Sequence, residues 1–161
     1  MEKAGTDAGS PSFHEDGVFF GKTADGSDYV VRAKPGENSD PSKDPYASTN
    51  VMKPANMDDL KNVGANVSGT FHTHPDGTVI TETMTETQKL TRTSGFGNPP
   101  SDLMYNNENI GDIPNAKTNS EGATGNSYVL AQGNKTVYIY NASGTVATFS
   151  FEQFFSIGVK K

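Results

Sequence analysis

Three short apolar runs in the last third of the chain, Tyr128-Val129-Leu130, Thr136-Val137-Tyr138-Ile139-Tyr140 and Thr145-Val146-Ala147-Thr148-Phe149, are separated by Gly133-Asn134 and Asn141-Ala142-Ser143-Gly144. β-Branched and aromatic side chains suit a pleated, half-buried surface, and Gly and Asn accept the backbone angles of tight turns. The pattern predicts an antiparallel meander. Ser150-Phe151-Glu152-Gln153 follows at once and has the Ser-x-x-Gln form of a capping box. Phe151, Phe154 and Phe155 then share a helical face, so a short terminal helix is expected to pack on the sheet.

The rest of the chain is less regular. Val18-Phe19-Phe20 and Tyr29-Val30-Val31 flank the turn dipeptide Asp25-Gly26 and read as a hairpin. Residues 34–50 carry Pro, Gly, Asn, Ser and Asp and read as an irregular surface loop, and residues 54–61 read as a short helix that Asn56 can cap. Residues 76–98 form a threonine-rich insertion. Alternating threonines suit an exposed β-ribbon, but so few apolar side chains predict a mobile segment instead. Ser101 to Tyr105, after Pro99-Pro100, suits a helix start or a tight loop, and residues 110–126 read as punctuation. Residues 1–12, small and polar, read as a linker or boundary, which leaves 13–161 as one domain. The expected class is α+β (or α/β), with a mainly antiparallel sheet flanked by short helices.

Composition excludes several functions. A net charge of −6 and no basic stripe disfavour nucleic acid as a partner, and a metal-dependent nuclease with it. With no cysteine there is no thiolate metal site, no disulfide and no thiol nucleophile. No stretch reaches the apolar length of a membrane span, and Met1-Glu2-Lys3-Ala4-Gly5 lacks the apolar core of a signal peptide. The chain is read as soluble, in a compartment the sequence does not fix.

Two of the three histidines lie one residue apart in His72-Thr73-His74-Pro75, directly after Val67-Ser68-Gly69-Thr70-Phe71. In an extended segment the two-residue period puts both imidazoles on one face. Two imidazoles and one further ligand hold a zinc ion with a fourth position open to water, the geometry of a hydrolytic site. The rival reading is a histidine pair on an ordinary solvated strand.

The string Gly69-Thr70-Phe71-His72-Thr73-His74-Pro75, with Pro99-Pro100-Ser101-Asp102-Leu103 after it, resembles the JAMM signature of MPN-domain metallopeptidases, also called JAB domains. Glu15-Asp16-Gly17-Val18-Phe19-Phe20 and the turn at Asp25-Gly26 look like the opening of bacterial JAB-like domains, some attached to polymorphic toxins. The resemblance spans Phe13 to about Ile157. It implies an MPN/JAB-like (cytidine-deaminase-like) architecture, one Zn2+ per chain, and hydrolysis of a peptide or isopeptide bond in a peptide or protein substrate.

Carried over by position, the resemblance makes His72, His74 and Asp102 the metal ligands and Glu15 the general base that returns a proton to the leaving amine. Asp102 has a plainer reading as a helix cap after Ser101. Glu37 is a rival for Glu15, and His14 reads as a surface residue. The family's oxyanion serine stands three positions before its aspartate, where this chain has Pro99. Either Ser101 serves in its place or the donor is missing, a loss of ~10²–10³ in rate. Asp102 also lies 28 positions beyond His74 (74 to 102), a gap that the insertion at 76–98 explains.

By the same analogy the chain is expected to be the C-terminal effector or toxin module of a larger secreted bacterial protein, with a cognate inhibitor or immunity protein as partner. The alternative is a non-catalytic MPN-like binding or scaffold domain with a vestigial metal site.

Overall fold

The computed structural model describes residues 13–40, 49–50, 66–77, 79–85, 88–102, 104–105, 108–109, 111–118 and 124–157. The helix expected over 54–61 and the boundary at 1–12 lie outside them.

A six-stranded sheet organises the molecule. Its strands are β1 (Gly17–Lys22), β2 (Asp28–Arg32), β5 (Asn66–His74), β10 (Ser127–Ala131), β11 (Thr136–Asn141) and β12 (Gly144–Ser150), in the order β12-β11-β10-β5-β1-β2. The Asp25-Gly26 hairpin forms as expected, with Lys22 opposite Asp28 and Gly26 at φ 85°. The meander β10-β11-β12 forms too, its second turn closed by Asn141 opposite Gly144, at φ 105°. The parallel pairing of β5 with β10, Val129 opposite His72 and Ala131 opposite His74, joins the two antiparallel halves into one mixed sheet. The class is therefore α+β, mainly antiparallel.

Two short helices lie on opposite faces. Helix α1 (Asp112–Thr118) sets Ile113 against Val129, Ala131 and Tyr140, on the face that carries His72. Helix α2 (Phe151–Ser156) follows β12 through the expected capping box: Ser150 Oγ accepts from the Gln153 amide, and the Gln153 side chain accepts from the Ser150 amide. Its Phe154 ring packs against Phe71, Tyr128 and Phe149 on the other face. Phe19, Val129, Leu130, Val137 and Tyr140 are fully buried between these layers. No helix among the described residues is long and apolar enough to cross a membrane.

Three connections differ from expectation. The ends of the loop over 34–50 pair, as β3 (Lys34–Pro35) with β4 (Thr49–Asn50). The threonine-rich insertion is a ribbon, β6 (Val79–Met84) antiparallel to β7 (Lys89–Ser94). Its backbone groups pair across the two strands, and Thr85 and Gln88 close its turn through backbone and hydroxyl. After Ser101 the chain makes a small strand pair, β8 (Met104–Tyr105) with β9 (Glu108–Asn109), and the helix begins later, at Asp112. Pro114 is tolerated there because a first-turn amide has no partner inside the helix.

Candidate metal centre

His72 and His74 occupy the carboxyl end of β5, side by side on one face, with their Nε2 atoms 3.3 Å apart. Both are buried, at 2% and 7% exposure, although imidazole is polar. A buried polar ring needs a partner for each nitrogen. For His74, Nδ1 lies 3.0 Å from the Gly97 carbonyl oxygen. A carbonyl only accepts, so Nδ1 carries the hydrogen and Nε2 is the nitrogen turned into the site.

Acid groups converge on the same point. Asp112, the first residue of α1, straddles the pair, with Oδ1 3.0 Å from His72 Nε2 and Oδ2 3.5 Å from His74 Nε2. Glu15, just before β1, brings Oε1 to 3.4 Å from His74 Nε2 and is itself buried. Burial pushes the Asp112 carboxyl up, but the charges and hydrogen bonds of His72 and His74 together outweigh it and hold the group well below the usual carboxylate range.

These separations are compatible with a bound metal ion. Nitrogen and oxygen donors about 2.0–2.1 Å from a tetrahedral zinc lie about 3.3–3.4 Å from one another. The observed 3.0, 3.3, 3.4 and 3.5 Å bracket that edge. Facing lone pairs at such distances repel unless a proton or a cation sits between them. Glu15, His72 and His74 are placed so that they could hold one metal ion. Asp112 shares the two histidines with them.

Ser101 secures Asp112 from outside. Asp112 Oδ2 accepts from the Ser101 amide at 2.7 Å and from Ser101 Oγ at 2.9 Å, and Ser101 Oγ accepts from the Asp112 amide at 3.0 Å. The Ser101 carbonyl takes the next helix amide, that of Ile113, at 3.0 Å. Residue 101 thus caps a helix that begins eleven positions later, and the intervening loop closes on itself.

The structure brings together four of the five expected site residues, Glu15, His72, His74 and Ser101. The exception is Asp102, which is exposed while Asp112 stands at the histidines. The resemblance assigns Asp102 by its place in the Pro-Pro-Ser-Asp-Leu string, but the β8–β9 pair intervenes before the chain brings an acid to the histidines. Asp112-Ile113-Pro114, an acid in a first helical turn ahead of a proline, is a legible signal for a helix start, but nothing in that pattern points to the histidines. Ser101 is present, with its hydroxyl hydrogen directed at Asp112. Glu37 is exposed, and His14 pairs with Asn38 and Asp16. No family model, curated protein or solved structure matches this chain.

Proposed function

We propose that this chain is a zinc-dependent metallopeptidase of the JAMM type with an MPN/JAB-like fold, cleaving a peptide or isopeptide bond. One observation carries the reading: two buried imidazoles and the carboxylates of Asp112 and Glu15 meet within tetrahedral-edge distances at the end of a central strand. His72, His74 and Asp112 would hold the ion, a borderline nitrogen and oxygen donor set that suits zinc. A zinc ion held there would supply a water of lowered pKa, about 7, and would polarise a carbonyl.

The chain's own groups do the rest. Glu15, beside His74 but not needed as a ligand, takes a proton from the attacking water and returns it to the departing amine. Gly97 fixes the His74 tautomer, and Ser101 fixes the Asp112 carboxylate. The vestigial-site alternative drew on Pro99 standing three positions before Asp102; three positions before Asp112 stands Asn109, so neither aspartate has the family's serine at that offset and the alternative stands beside this reading. A role as an effector of a larger secreted protein, opposed by an immunity protein, is an extension that rests on the resemblance alone.

Elemental analysis of purified protein, together with cleavage of peptide-linked and lysine-isopeptide-linked fluorogenic substrates, tests the proposal. One zinc per chain is expected, with cleavage lost in chelator and restored by zinc. Protein that neither contains nor takes up zinc removes the reading.

A further inference from the structure

We infer that Thr73, the residue between the two histidines, is a positioning residue that fixes Glu15 against the site. Its purpose rests on the hydrolytic reading above, and its geometry does not.

In the β1–β5 ladder Gly17 stands opposite His72, so the next pair outward is Asp16 with Thr73. A regular hydrogen-bonded antiparallel pair exchanges two backbone bonds. Here the first is made: the Thr73 amide donates to the Asp16 carbonyl at 2.9 Å. The Asp16 amide instead donates to Thr73 Oγ1, at 3.1 Å. The hydroxyl takes the place of a ladder carbonyl, and β1 begins only at the next residue. Just beyond, the Glu15 carbonyl accepts from the Gly36 amide at 3.3 Å, and the Asp16 carboxylate is held from outside by Arg32 at 3.1 Å.

The consequence follows from the period of two. Thr73 points away from the face that carries His72 and His74, and Asp16 pairs with it there. Glu15 is thereby directed to the histidine face, opposite His74, where its Oε1 lies 3.4 Å from Nε2. Valine has the shape and strand preference of threonine but no hydroxyl, so it leaves the Asp16 amide without that acceptor.

The test uses the full chain with Thr73→Val, Thr73→Ser and Glu15→Gln, and cobalt(II) as the metal. Two readouts are free of any substrate: exchange of the Asp16 amide in metal-free protein, and the stoichiometry and visible spectrum of bound cobalt. In Thr73→Val the Asp16 amide should exchange about five- to tenfold faster, the net worth of one hydrogen bond. Cobalt should still bind one per chain, with a spectrum moved toward that of Glu15→Gln. Thr73→Ser, which keeps the hydroxyl, should match wild type in both. Should Thr73→Val not fold, Thr73→Ala carries the same readouts. Wild-type exchange and spectrum in Thr73→Val overturn the inference alone, as does a Thr73→Ser protein that behaves like the valine variant. Absence of cobalt uptake by wild-type protein overturns the metal-site reading and this inference with it.

Discussion

Ser101 and Asp112 hold each other by three hydrogen bonds across ten intervening residues, two from serine to carboxylate and one from the aspartate amide to the hydroxyl. The pair closes a loop, caps a helix and aims an acid at two histidines. It also separates two residues that sequence spacing confuses, Asp102 and Asp112.

Asp112→Ala is expected to weaken zinc binding by more than ~100-fold, beyond what loss of a residue that only supports a ligand costs. Asp102→Ala should bind as wild type does. Competition against a chromophoric chelator measures both, and a reversed ranking would restore Asp102 as the ligand.

Ser101→Ala leaves the Asp112 carboxylate with one hydrogen bond fewer and the Asp112 amide without its side-chain acceptor. Zinc affinity should fall ~10–100-fold, the usual cost of removing a ligand's support. Unchanged affinity with lowered turnover would instead give Ser101 a direct part in the reaction.

On the proposed mechanism, Glu15→Gln removes a base without removing a ligand. Hydrolysis should drop by ~10²–10⁴ while zinc content stays at one per chain. Loss of zinc in this variant would make Glu15 a ligand, a role its 3.4 Å approach to His74 also permits.

Burial raises the Asp112 carboxyl, yet His72 and His74 hold it well below its unfolded value. A depressed carboxylate stabilises the fold fully above the unfolded pKa of about 3.9, and that stabilisation is lost as pH falls through the folded value. Metal-free protein should therefore lose stability more steeply below about pH 4 than Asp112→Asn does, by circular dichroism in denaturant. Parallel acid curves would mean that the carboxylate is not held in this way.

Gly77 is buried between Phe96 and Phe13: a methyl group there would overlap the Phe96 ring and approach Phe13 Cδ2 to 2.8 Å. The two rings meet edge to face at 5.7 Å, one residue before Gly97 and two before Glu15. Gly77→Ala should cost ~1–3 kcal/mol by chemical denaturation, the range for overpacking. A neutral substitution would show that the rings move aside freely.

Local pattern was a sound guide where the physics is local. Turn chemistry at Asp25-Gly26 and Asn141 to Gly144 gave two hairpins, and Ser150 with Gln153 gave a capped helix. The insertion takes the form of the exposed ribbon that alternating threonines suit, its two strands paired residue by residue. The β5–β10 pairing left no trace, since a parallel contact between distant strands imposes no periodicity on either.

The sequence by itself determined that His72 and His74 share a face, because a strand repeats every two residues, and that a carboxylate precedes the first strand. Tertiary structure alone decided which aspartate reaches them. The cost of closing a loop grows only slowly with its length, so the bonds at its two ends, here Ser101 with Asp112, weigh more than the number of residues between, and no count along the chain could choose Asp112 over Asp102.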